Sequence, residues 1–138
     1  MNNFDITTLE EALKSILTTG AVSTTVWNNR PKTVDSTKDD FVVASVQSNM
    51  EDMDAYGDTF VNIALFAKDG SGFKNKTKLS LMYGKLRNCM PAAYKVTNQG
   101  VTVAAYEFDT NPTIFPDVAD DYGYHCRIIQ FRVTQKVI

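Results

Sequence analysis

Apolar positions along this chain recur first with a helical period and then with a strand period, and the changes of period mark the elements. Ile6, Leu9, Leu13 and Ile16, with Leu17 four residues past Leu13, recur at three- and four-residue spacing and leave Glu10, Glu11 and Lys14 outward. Residues so spaced share one face of a helix, so the stripe predicts an amphipathic first helix. Thr8 with Glu11 fits a capping box, and Thr7 with Glu10 fits it equally well. Gly20, just past the last apolar position, suits a C′ stop.

The pattern then turns β-like. Val22 to Asn29 is rich in β-branched residues and predicts a strand. Arg30 to Asp40 is polar, contains Pro31 and reads as a long connection, and Phe41 to Ser48 predicts a second strand. Asn49 to Asp58 is acidic and turn-like. In Thr59 to Ala67, Val61, Ile63 and Leu65 point one way and Phe60, Ala64 and Phe66 the other. Such a strand has two apolar faces, as a central strand does, or one whose outer face meets another subunit.

Gly70-Ser71-Gly72 breaks the chain, and a second helix fits Asn75 to Met90, with Leu79, Met82, Tyr83, Leu86 and Cys89 or Met90 as its stripe. Pro91 ends it, because a proline pushes the preceding residue out of helical geometry. Tyr94 to Thr97 and Val101 to Phe108 flank Asn98-Gln99-Gly100, which reads as a three-residue hairpin turn with glycine at the positive-φ position. Asp109 to Asp121 reads as a loop carrying Pro112 and Pro116, and Tyr122 to Gln135 as a last strand with Ile129, Phe131 and Val133 facing in. The order is helix, three strands, helix, then two or three strands. The expected class is therefore α+β: one domain over residues 1–138, with a mostly antiparallel sheet and two helices packed on one face.

Composition adds bounds. The chain has 138 residues, of which 43% are apolar and 22% charged, enough to bury a core without staples. The N-terminus lacks a basic region followed by an apolar run, and no apolar stretch approaches the ~20 residues of a membrane span, so cytoplasmic synthesis is expected. Cys89 and Cys126 stand in no metal-ligand spacing; two buried thiols in a reducing compartment is the plain reading, while sequence separation alone leaves a disulfide open.

Net charge is −2, so no generic attraction to phosphates is expected, but the charges are segregated. Acids dominate from Asp35 to Asp58 and again from Glu107 to Asp121, and bases dominate from Lys68 to Lys95. Such blocks can steer association between complementary surfaces, or neutralise one another within one molecule.

Candidate chemistry is thin. His125 is the sole histidine, and Cys126 beside it faces the other side of a strand, which makes a poor nucleophile pair. Glu51, Asp52 and Asp54 lack the order of a calcium loop, and Asp120-Asp121 is short of ligands. Gly70-Ser71-Gly72 with Lys74 lacks the spacing of a phosphate-binding loop. The bases Lys76, Lys78, Lys85 and Arg87 lie on a helix with no aromatic platform on its polar face. No catalytic centre, metal site or cofactor is expected.

The layout resembles the tail terminator, or tail completion, proteins of long-tailed bacteriophages, including the minor tail protein U type. The resemblance runs through the helix ending near LTTGAVSTTVW, the N-N-R-P turn, FVVASVQS, TFVNIALFA, a helix with paired strands, and YHCRIIQFRVTQ. It covers nearly the whole chain and is one of organisation. It implies a non-enzymatic ring, commonly of six subunits, that caps the tail tube and joins it to the head. It also implies tail tube and head-completion proteins as partners, DNA sliding unbound through the lumen, and a place in the host cytoplasm and then the virion. In such a ring the charge blocks would meet head-to-tail, a heterologous contact. The expected docking residues are Arg30, Lys32, Asp35, Asp39 and Asp40 on one loop, Lys76, Lys78, Lys85 and Arg87 on the helix, and Asp117, Asp120 and Asp121 on the other loop. A ligand- or peptide-binding domain using its sheet as a platform is the rival, and an enzyme centred on His125 a third reading.

Overall fold

The computed structural model describes residues 6–31, 38–47, 57–70, 73–120 and 122–136. The acidic stretch 48–56, Lys32, Asp35 and Asp121 lie outside them. The elements are α1 (Ile6–Thr19), β1 (Val26–Trp27), β2 (Asp40–Val46), β3 (Gly57–Lys68), α2 (Lys76–Cys89), β4 (Ala93–Asn98), β5 (Val101–Phe108), β6 (Thr113–Ile114), β7 (Val118–Ala119) and β8 (Tyr124–Gln135). This is the expected α+β class. The sheet runs β1-β2-β3-β8-β5-β4, with β6 and β7 also on β8. All pairs are antiparallel except β1 with β2.

β3 and β8 form the spine, paired from Gly57↔Gln135 to Lys68↔Tyr124. Alternation sends Val61, Ile63, Leu65, Ala67, Ile129, Phe131 and Val133 to one face, where both helices cover them. Helix α1 contributes Leu9, Leu13, Ile16 and Leu17, and α2 contributes Leu79, Met82 and Leu86. Each fully buried aliphatic side chain of this kind stabilises by roughly 1.5–3 kcal/mol over an exposed one, which makes this layer the principal source of stability.

Several local expectations shift. Helix α1 starts at Ile6, so Thr7 and Thr8 lie inside its first turn and neither is the N-cap. At the other end, the Ala21 amide donates to the Thr18 carbonyl and the Val22 amide to the Leu17 carbonyl, a Schellman motif. The left-handed C′ position is Ala21 (φ 56), not Gly20. Gly20 is needed for a different reason: a Cβ there would sit 2.4 Å from the Cβ of Cys89. Of the expected strand Val22 to Asn29, only Val26–Trp27 pairs, because Val22 is drawn into the helix cap as a buried apolar contact.

Asn75 caps α2, its side chain accepting from the Lys78 amide. The β4–β5 hairpin closes through two residues, not three: Asn98 pairs with Val101, and Gln99 (φ 51) and Gly100 (φ 80) are both left-handed, as a type I′ turn requires. The stretch Asp109 to Asp121 is not simply a loop. It runs antiparallel along β8 and touches it twice, Thr113↔Gln130 and Val118↔Cys126 among the pairs. Pro112 and Pro116 account for the interruptions, since each lacks the amide a ladder needs.

Candidate functional site

Functional groups gather at the end of the sheet where β3 leaves and β8 begins. On the helix side of the sheet, the Arg127 guanidinium donates to both Asp117 oxygens, Nε at 2.8 Å and Nη2 at 3.0 Å. Lys74 Nζ reaches the same carboxylate at 3.2 Å. The paired Arg127 holds the Asp117 carboxyl below its ordinary range against the opposing effect of burial. Asp117 in turn raises the already high pKa of Arg127. Alongside, His125 Nδ1 lies 2.6 Å from Asp69 Oδ1, an orientation that fixes the ring. Asp40 ends in a pair with Lys78 at 2.8 Å and also accepts from the Ser23 hydroxyl.

The other side of the sheet carries a second, smaller apolar cluster. Phe41 and Phe66 are stacked with centroids 4.4 Å apart, Tyr124 meets Phe41 edge-on at 5.2 Å, and Trp27 lies at 5.1 Å. Cys126 is buried with them. The chain leaving β1 crosses this cluster, and Arg30 sits over Phe66, Tyr122 and Phe41. Its Nη2 bonds Asp120 at 2.8 Å. Burial pushes the Asp120 carboxyl up, but the Tyr122 and Tyr124 amides and Arg30 together outweigh it and hold the carboxyl below its usual range.

Five of the expected docking residues thus close within the chain: Arg30 on Asp120, Lys78 on Asp40, and Asp117 on Lys74 and Arg127. The opposed charge blocks meet internally at Lys78–Asp40 and Lys74–Asp117. Arg87 donates to the Thr110 carbonyl at 3.4–3.5 Å, while Asp39, Lys76 and Lys85 are exposed. Lys32, Asp35 and Asp121 fall outside the described residues, as do Glu51, Asp52 and Asp54. Sequence reasoning missed Arg127, Lys74 and Asp69 as partners, and the aromatic cluster; the two-faced apolar pattern of β3, with Phe66 on the second face, was the available signal.

The arrangement offers limited chemistry. His125 and Cys126 face opposite sides of β8, and burial first, with Asp120 second, pushes the Cys126 thiol up to about 12. A thiol so shifted is protonated at neutral pH and is a poor nucleophile. Cys89, also free, is raised by burial too. Among the described residues no group of three or more His, Cys, Asp or Glu side chains is placed to hold a metal ion. An open groove of about 400 Å3, lined by Ile16, Thr19, Gly20, Cys89, Pro91 and Tyr94, lies between the helix ends and β4. A second depression of about 310 Å3 is lined by Glu107, Asp109, Thr110, Arg132 and neighbours. Neither includes His125.

No family model and no curated protein matches the chain. A solved structure 12% identical to it, whose name carries no functional word, matches over 99% of this chain and 99% of its own, with a TM-score of 0.66. At that identity the likeness shows the fold alone. No described helix is long and apolar enough to cross a membrane.

Proposed function

We propose that this chain is a structural assembly subunit of the tail-terminator kind, working through contacts with copies of itself in a ring that caps a tail tube and joins it to a head. The observation that carries the reading is exposed apolar surface on the overhanging β4–β5 hairpin. The β4–β5 hairpin runs past the last β5–β8 pairing at Tyr106↔Gln135, and Val101 and Val103 project from it 63% and 49% exposed. Separately, Phe60 on the outer face of β3 is 41% exposed. Exposed apolar side chains on a hairpin that projects beyond its sheet favour burial against another protein surface. Because so many charges are closed internally, the contact rests on apolar area more than on ion pairs. It would be heterologous, hairpin to neighbouring face, the geometry that closes rings.

The test is the mass of the chain in solution, by sedimentation velocity with electron microscopy of the heaviest species. Rings that disperse in the Val101→Lys/Val103→Lys variant are expected. A 15.4 kDa species at every concentration, unchanged in the variant, would defeat the reading. The groove beside Cys89 lends the ligand-binding alternative its support, since its volume falls in the range of small-molecule sites. A compound that protects Cys89 from alkylation while the chain stays monomeric would favour that alternative.

A further inference from the structure

The outer-face cluster beneath Arg30 has walls that are built independently of the side chain resting on them. Phe41 and Phe66 are register partners on β2 and β3, and their rings stack without help from Arg30. Tyr122 and Asp120 come from the turn between β7 and β8. Asp120 is fixed by its own chain: Oδ1 accepts from the Tyr122 amide at 2.8 Å and the Tyr124 amide at 3.0 Å, leaving Oδ2 for Arg30. None of these four residues belongs to the strap Asn28–Pro31 that delivers the guanidinium.

We propose that Phe41, Phe66, Tyr122 and Asp120 form a guanidinium-receiving site, that Arg30 is its resident occupant, and that this occupancy latches the strap across the outer face. The ligand class is an arginine side chain or other alkylguanidinium. The guanidinium carbon stands 4.9 Å from the Phe66 centroid, 5.1 Å from Tyr122 and 5.6 Å from Phe41, within reach of cation–π attraction to all three. A planar, weakly hydrated cation can stack on rings and bond a carboxylate at once; a compact, strongly hydrated ammonium cannot do both well. The site therefore discriminates arginine from lysine. Arg30, tethered three residues beyond the end of β1, has a high effective concentration at the site and excludes free competitors. Released, the same walls would receive an arginine from a partner polypeptide, with the aromatic cluster bared beside it. This inference does not depend on the ring.

The experiment is chemical rescue of the full chain. Trp27, the sole tryptophan, lies 5.1 Å from Phe41 and reports on the cluster by fluorescence. Arg30→Ala should melt about 5 °C below the natural chain. Millimolar ethylguanidinium should recover at least half of that loss, saturably and with a matching Trp27 signal, while ethylammonium and urea recover none. The natural chain should show no saturable response, and Arg30→Ala/Phe66→Leu should lose the rescue. Should Arg30→Ala fail to fold, Arg30→Gln, which retains the stem, takes its place in the same assay. Equal rescue by ethylammonium, rescue that survives Phe66→Leu, or no saturable response in a folded variant would each overturn the proposal.

Discussion

The two faces of the β3–β8 spine are made from alternate residues of the same strands, yet they are closed in different ways. On the inner face, Ile63, Leu65, Ile129 and Val133 are fully buried beneath two helices whose stripes match the pleat. On the outer face, burial is local: Phe41, Phe66 and Tyr124 are covered where one strap and one arginine cross them, and Phe60 at the far end is 41% exposed. A helix covers a face along its length because its apolar rows repeat, whereas a short strap covers only the rings that its crossing side chain can reach. The inner face is thus closed by the fold itself, and the outer face leaves part of its apolar surface exposed.

The sharpest way to break this contrast is to truncate one residue on each face. Ile63→Ala should cost about 3 kcal/mol in urea denaturation, since it removes buried methylenes and leaves a cavity. Phe60→Ala, three residues back along β3 on the outer face, should cost no more than about 1 kcal/mol while weakening the proposed self-association. Equal losses at both positions would erase the distinction.

The helix layer has its own tight point. Gly20→Ala would drive a Cβ against Cys89 and should cost about 1–3 kcal/mol, with Cys89→Gly restoring part of it. At the charged end, Asp117→Asn should cost roughly 2 kcal/mol by leaving Arg127 without its charged partner. The same carboxylate sets a pH dependence. A carboxyl held below its unfolded value by the fold contributes stability above that unfolded value, about 4 for an aspartate, and the contribution fades as pH falls through the lower folded value. Acidification below about pH 4 should therefore destabilise the natural chain more steeply than Asp117→Asn. The smallest effect has the opposite sign: Gly84→Ala, on the open side of α2 with nothing within 4 Å of a new Cβ, should stabilise by about 1 kcal/mol. A loss there in thermal or urea denaturation would contradict the open surroundings of Gly84.

Much of the frame was readable from residue order. The stripes of α1 and α2, the stop before Pro91 and the alternation in β3 and β8 are local patterns, and each became the element it predicts. The interrupted edge at β6 and β7 was not readable, because two-residue pairings carry no periodicity and the prolines argue against a strand. Gly20 was singled out for the right place and the wrong cause. A helix end predicts a left-handed residue nearby, but the neighbour that forbids a side chain at Gly20 comes from 69 positions away in sequence, at Cys89.

The sequence by itself determined the class: two amphipathic helices, strands with alternating faces and a hairpin, because hydrophobic period is a local property of the chain. Only the tertiary structure decided which charges meet. Arg30 and Asp120 are 90 residues apart, and Lys74 and Asp117 are 43 apart. Ion pairs at such separations are selected by how the strands are ordered in the sheet. The blocks of charge were visible in the sequence, but their closure on one another within the chain depends on β8 returning beside β3 with β7 along its other edge, which no local pattern encodes.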